Sequence, residues 1–181
     1  PRRLRASESS DSAVVDRTIF FYDHEGNQLG TFLHPRPQTA TENCTWHNYN
    51  VVPTDKGRIL VAGNYQSGIS VLDFTDPANP RKVGRYHLED YGSHDIIVED
   101  DILYQAYYDG GVRIVDVSGM LLGNLYDQGR EIAVFKSYDP EGYTANAPFV
   151  MNAMPWKGHV LFTDFNTGLW SAKLAPKNMT P

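Results

Sequence analysis

Cysteine is almost missing: Cys44 is the only one in 181 residues, so the chain can form no disulfide with itself and its cysteine content says nothing about redox compartment. The expected role of Cys44 is that of a small buried hydrophobe. Helical periodicity is missing too. No run of ten or more residues repeats its apolar side chains at helical spacing, which excludes a helical bundle. The longest uninterrupted apolar runs are a few residues, far short of the ~20 that a membrane-crossing helix needs, so no direct membrane span is expected. Basic charge is scarce, with 16 Lys and Arg against 22 Asp and Glu and a net charge of −6. Phosphate binding needs clustered cations, so nucleic acid is not an expected partner. There is no nucleophile elbow, no glycine-rich phosphate loop, no paired-cysteine motif and no calcium loop. No cofactor, no resident metal and no catalytic residue are expected on these grounds.

What is present is a repeat. Residues 46–74 read WHNYNVVPTDKGRILVAGNYQSGISVLDF and residues 93–117 read SHDIIVEDDILYQAYYDGGVRIVDV. Ile59-Leu60-Val61 falls on Ile102-Leu103-Tyr104, Gly68 on Gly111, and Val71-Leu72-Asp73-Phe74 on Ile114-Val115-Asp116-Val117, an offset of 43 residues throughout. A fixed period of about 40–45 residues is that of a four-stranded propeller blade. The composition agrees: aromatics at 12%, 15 Gly and 11 Pro suit short strands joined by tight turns. The expected fold class is therefore all-β, a propeller-like array of four-stranded antiparallel blades, with about three blades represented.

In chain order, residues 1–16 hold three Arg and four Ser with few apolar side chains, and are expected to form a disordered arm or linker. The opening Pro1 implies either that processing has removed the start or that the chain is a fragment. Residues 17–181 are read as a partial propeller. A hairpin at 17–33 supplies the last two strands of one blade, with strands expected at 18–22 and 28–33. A complete blade spans 46–87, with strands near 46–52, 58–64, 68–74 and 81–87. A second spans 93–136, with strands near 93–98, 102–107, 111–117 and 131–136. Its long connection at 118–130 is expected to carry a short helical turn or a contact surface. An incomplete blade spans 148–175, where Val160-Leu161-Phe162-Thr163 corresponds to Ile102-Leu103-Tyr104-Gln105 and Gly168 to Gly111. His24, His34 and His159 fall in turn or linker sequence, where solvent exposure is expected.

The stretches GISVLDFTDPANPRKVGRY at 68–86 and GGVRIVDVSG at 110–119, each preceded by a His-containing strand and by ILVAGNY or ILYQAYY, resemble the LVIVD-repeat proteins. That resemblance is good over 46–120 and weak over 17–33 and 146–175. It implies a secreted or cell-surface β-propeller and carries no shared activity that can be transferred residue by residue. A count of about three blades falls short of the four to eight of a closed propeller. The expected partner is therefore a further protein chain or the remaining blades of the same propeller, in an oligomer or large assembly. Expressed alone, the chain is expected to aggregate, oligomerise or bind hydrophobic dyes.

Two groups of residues stand out. Gly68, Gly111 and Gly168 open the third strand of each unit after a tight turn and are expected at positive φ or in close approach to a neighbouring strand. Asp73 and Asp116 interrupt otherwise apolar strands and are expected to accept hydrogen bonds from nearby backbone N–H groups. The second group lies on the first strands. His47 and His94 are equivalent, each followed by a polar residue, Asn48 or Asp95, while the third unit offers Met151 and Asn152. If first strands line a central channel, these side chains line it together as structural polar groups or as a ligand site. Tyr65, Tyr107, Tyr108 and Phe165 recur at the ends of second strands, as a binding rim or as packing. The reading that follows is a non-catalytic binding or scaffold module. The alternative is a metal-dependent, oxidoreductase-like enzyme using the first-strand histidines.

Overall fold

The computed structural model describes residues 17–36, 39–43, 45–54 and 57–174; the arm at 1–16, Cys44 and the segment 175–181 lie outside the described residues. No helix occurs among them. The described strands are β1 (Thr18–Tyr22), β2 (Gln28–Leu33), β3 (Asn48–Thr54), β4 (Gly57–Gly63), β5 (Ile69–Asp73), β6 (Arg81–Tyr86), β7 (Ile96–Glu99), β8 (Ile102–Ala106), β9 (Val112–Asp116), β10 (Gly123–Asn124), β11 (Glu131–Phe135), β12 (Val150–Trp156), β13 (His159–Asp164) and β14 (Gly168–Ala172). They make four sheets in chain order: β1-β2, then β10-β6-β5-β4-β3, then β11-β9-β8-β7, then β12-β13-β14. Apart from β10, each sheet is an antiparallel meander.

The apolar strands are buried on both faces, and alternation decides which side chain goes where. On β5, Leu72 and the following Phe74 face the first hairpin, packing with Ile19, Phe21, Leu60 and Ala62. Ile69 and Val71 face the other way, into a core shared with Ile96, Leu103, Val115 and Val117 of the third sheet. The third sheet repeats the arrangement: Val112 and Ile114 turn towards Val150, Ala153, Val160 and Phe162 of the fourth. Consecutive sheets thus stack with one core between each pair, which is why the runs ISVLD and VRIVD read as nearly continuous hydrophobe.

The turns before β5 and β9 are copies of each other. Gly68 has φ +70° and Gly111 φ +82°, and each N–H closes the turn on a tyrosine carbonyl, Gly68 on Tyr65 at 2.9 Å and Gly111 on Tyr108 at 3.0 Å. A side chain on Gly68 would meet Tyr86 O at 2.7 Å, and one on Gly111 would collide with Phe135 O. Gly168 also has positive φ, +87°, but nothing crowds it. Asp73 Oδ1 accepts from the Thr75 N–H at 3.0 Å and Asp116 Oδ1 from the Ser118 N–H at 2.7 Å. The Thr75 N–H holds the Asp73 carboxyl, and the Ser118 hydroxyl with its N–H holds the Asp116 carboxyl, below the usual carboxylate range.

One expectation resolves to one of its alternatives and another needs correction. The connection at 118–130 forms no helical turn; β10 adds to the preceding sheet in parallel, with Gly123 opposite Gly84 and Asn124 opposite Arg85. Leu121 and Leu125 are buried beside it in the core between the second and third sheets, so the connection is a contact between units. His34 is buried, at 2% exposure, rather than exposed. Its ring stands edge-on to Trp46 at 5.3 Å, and its Nδ1 accepts from the Arg36 N–H at 3.2 Å. Burial, aided by the charge of Lys82, pushes the His34 pKa down to about 4. His24 and His159 are exposed, the latter opening β13.

Candidate functional site

The first strands of the second, third and fourth sheets, β3, β7 and β12, lie side by side, and their side-chain amides join them. Asn50 Nδ2 donates to Ile96 O at 3.2 Å, and Asn50 Oδ1 accepts from the Val98 N–H at 3.2 Å. Asn48 Nδ2 donates to Asp95 Oδ1 at 3.0 Å. From the opposite side Asn152 Nδ2 donates to Asp95 Oδ2 at 3.3 Å. Asp95 is thus held between the two neighbouring sheets, one amide on each oxygen.

His47 and His94 occupy the residues just before these strands. The backbone fixes each: His47 N–H donates to Gly63 O at 3.0 Å and His94 N–H to Ala106 O at 2.9 Å. Their rings meet with centroids 4.2 Å apart. His47 Nε2 is 3.5 Å from Asp95 Oδ1. Its Nδ1 is 3.0 Å from the Tyr65 hydroxyl. His94 Nδ1 lies 2.6 Å from Met151 O. A carbonyl can only accept, so the His94 Nδ1 carries a proton, and in the neutral ring the lone pair lies on Nε2. Burial first, and then the neighbouring His94, lower the His47 pKa against the opposing pull of Asp95, so His47 stays neutral near pH 7.

The structure therefore brings His47, Asn48, His94, Asp95 and Asn152 together in one place. The fourth sheet joins through different atoms: where the sequence has no third histidine, Met151 supplies a carbonyl and Asn152 an amide. Asn50 belongs to the same network and was not singled out by sequence. Its signal was there, a second asparagine two residues after Asn48 and so on the same strand face.

Beside this cluster runs a row of aromatic rings. Tyr65 and Tyr108 have centroids 6.4 Å apart, Tyr108 and Phe149 4.9 Å, and Phe149 and Phe165 5.8 Å, each pair close to parallel. The His47 ring is 5.0 Å from Tyr65 and the His94 ring 5.3 Å from Tyr108. Tyr65 and Tyr108 have φ of 39° and 44°, a conformation that bulky side chains seldom adopt. It lets each residue close its own turn while its carbonyl accepts from the next sheet, Ser93 N–H on Tyr65 at 2.8 Å and Val150 N–H on Tyr108 at 3.1 Å. Tyr107, grouped with these rings by sequence, points instead into the core.

The row forms one wall of an open cleft of about 800 Å³, whose rim carries Asn43, Gln66, Asp90, Asp109, Thr144 and Asn166. Phe165 is 76% exposed and Tyr143 96%. Behind the cleft the buried Asp164, which sequence reasoning missed, fixes the backbone of two of its lining residues, Phe149 and Asn166. Its Oδ1 accepts the Asn166 and Thr167 N–H groups at 2.7 and 3.1 Å, and its Oδ2 accepts the Phe149 N–H at 2.8 Å and the Ser137 hydroxyl.

No protein-family model and no curated protein matches the chain. Among solved structures it is similar to the computationally designed Ika4 protein, with a TM-score of 0.56 and 12% identity over 88% of this chain and 81% of that one. It is similar to the designed Ika8 protein at the same score and identity, over 88% of this chain and 41% of that one. BamB from Moraxella catarrhalis aligns at a TM-score of 0.42 and 20% identity, over 86% of this chain and 46% of that one. At 12% identity the designed proteins speak for the fold alone. The class that fold and site define is an all-β protein of tandem antiparallel sheets with a polar cluster where the first strands meet.

Proposed function

We propose that the chain is a non-catalytic binding module, a partial β-propeller of the LVIVD-repeat kind acting in a secreted or cell-surface protein, and that its partner is another protein. The observation that carries this reading is the aromatic cleft. Protein-binding surfaces concentrate their affinity in aromatic side chains ringed by polar groups, which is the layout of Tyr108, Phe149, Phe165 and Tyr143 within their rim. Asp90 and Asp109 on the rim, and 12 acidic against 3 basic residues across 88–142, favour a segment bearing basic and apolar side chains. A second apolar groove, where Ile132, Val134 and Phe135 face Val160, Phe162 and Leu174, supports an assembled rather than a solitary chain. The four successive sheets support the blade reading, with 17–33, 46–87, 93–136 and 148–175 as its units.

The test is a fluorescence-polarisation screen of peptides pairing Arg or Lys with aromatic residues, run at low and high salt. Binding that weakens with salt and is lost in Phe165→Ser/Tyr143→Ser is expected. Peptides that bind the double variant as well as the parent, or no binding at all, would overturn the reading.

A further inference from the structure

We propose that His47, His94 and Asp95 form a binding site for a divalent transition-metal ion of the zinc and cobalt class. This site adjoins the aromatic cleft through Tyr65 but shares no ligand with it, and it does not depend on the binding-module reading. One ligating atom of each residue lies within 4.8 Å of the others. An ion bound at about 2.0–2.2 Å in tetrahedral geometry sets its ligands roughly 3.3–3.6 Å apart. The His47 Nε2 to Asp95 Oδ1 separation of 3.5 Å is already of that size; the His94 nitrogen recorded near Asp95 is Nδ1, 4.0 Å from Oδ1, so the His94 side chain would turn to present Nε2 to the ion. Two imidazoles with one carboxylate suit zinc, cobalt, nickel or copper rather than magnesium or calcium, which prefer all-oxygen sites.

What distinguishes this cluster from a chance meeting of polar groups is the outer layer. Ligating histidines ordinarily give their second ring N–H to a carbonyl or another oxygen, which fixes ring and tautomer. His94 does this with Met151 O at 2.6 Å. His47 has the Tyr65 hydroxyl oxygen 3.0 Å from its Nδ1, so the tautomer protonated there leaves the Nε2 lone pair facing Asp95. Asp95 in turn is oriented by Asn48 and Asn152, one amide per oxygen. The three candidate ligands thus have four supporting partners, Asn48 and Tyr65 from the second unit and Met151 and Asn152 from the fourth sheet. Side-chain exposures of 30% for His47 and 30% for Asp95 leave the ion a way in and room for water as a further ligand.

The test starts from the chelator-stripped chain titrated with Zn²⁺ by calorimetry and with Co²⁺ by visible absorption. One equivalent at micromolar affinity or tighter is expected, with the intense visible bands of low-coordinate cobalt. His47→Ala, His94→Ala and Asp95→Ala should each weaken binding about a hundredfold, as loss of a ligand exceeds the ~10–100-fold typical of supporting partners. His159→Ala, at an exposed histidine elsewhere, should leave it unchanged. Should a ligand variant fail to fold, the parent chain still decides the matter: substoichiometric Cu²⁺ should broaden the His47 and His94 ring signals in NMR before those of His24 and His159. Absence of stoichiometric binding, wild-type affinity in the three variants, or broadening that spares His47 and His94 would each overturn the proposal.

Discussion

The duplicated centre of the molecule and its two flanks hold themselves together by different means. In the second and third sheets a repeated device is used: a tyrosine at positive φ, a glycine that closes the turn, and an aspartate that accepts from the backbone two residues on. The flanks lack this repeat and each relies on one buried polar residue. At the front it is His34, packed on Trp46; at the rear it is Asp164, which collects three backbone N–H groups and one hydroxyl. A repeat spreads its stabilisation over equivalent small contributions, whereas a single buried anchor concentrates it. The flanks should therefore be the places where one substitution or one proton does the most.

Asp164→Ala should produce the largest loss, about 3 kcal/mol, because it strands four donors at once, one buried and three partly buried. Urea unfolding should show it, with Asp116→Ala losing only about 1 kcal/mol by the same measure; equal losses would erase the contrast between rear flank and centre. The front flank should respond to pH. The folded-state pKa of His34 is depressed to about 4, so its contribution is complete above the unfolded value near 6.5 and is lost as pH falls through about 4. A drop of about 3 kcal/mol is expected across that window. His34→Phe should flatten the profile there, and an unaltered profile would show that the ring does not charge on unfolding.

Within the repeat itself, Gly68→Val and Gly111→Val should each cost about 1–3 kcal/mol, since positive φ and a crowded site act together. Gly168→Val, equally left-handed but open to solvent, should fall at the low end of that range. Identical melting of all three variants would mean that the close approaches of Tyr86 O and Phe135 O do not matter. The smallest change expected is a gain. Gln105 is fully buried, and neither of its side-chain polar atoms finds a partner among the described residues. Gln105→Leu should raise stability by about 1 kcal/mol, as burying an unsatisfied amide is costly. A loss instead would point to a water held by that amide.

The sequence was most legible where interactions are local or repeated. The first hairpin has the strand bounds that its β-rich runs suggest, and β5 and β9 announce burial on both faces by their continuous hydrophobe. The first strands begin two or three residues later than their pattern suggests, at 48, 96 and 150 rather than 46, 93 and 148. The residues in between, His47, His94 and Asp95 among them, face the neighbouring sheets instead. His34 was misjudged because the ring that buries it, Trp46, is supplied from 12 residues along the chain. β10 was invisible because a two-residue parallel pairing is set by the close approach of Gly84 to Leu121 and Gly123, not by local propensity. Asp164 escaped because its partners range from Ser137 to Thr167. The site itself was half legible: equivalent positions in two units pointed to His47 and His94, while the part played by Met151 through its carbonyl had no side-chain signature.

The central claim is that equivalent first-strand positions of three successive units meet at one point. The most direct measurement is a set of nuclear Overhauser contacts in the isotope-labelled chain. Cross-peaks are predicted between the ring protons of His47 and His94, and from the side-chain amides of both Asn48 and Asn152 to the Asp95 β-protons. Contacts confined to each residue's own sheet, with none between units, would contradict the account.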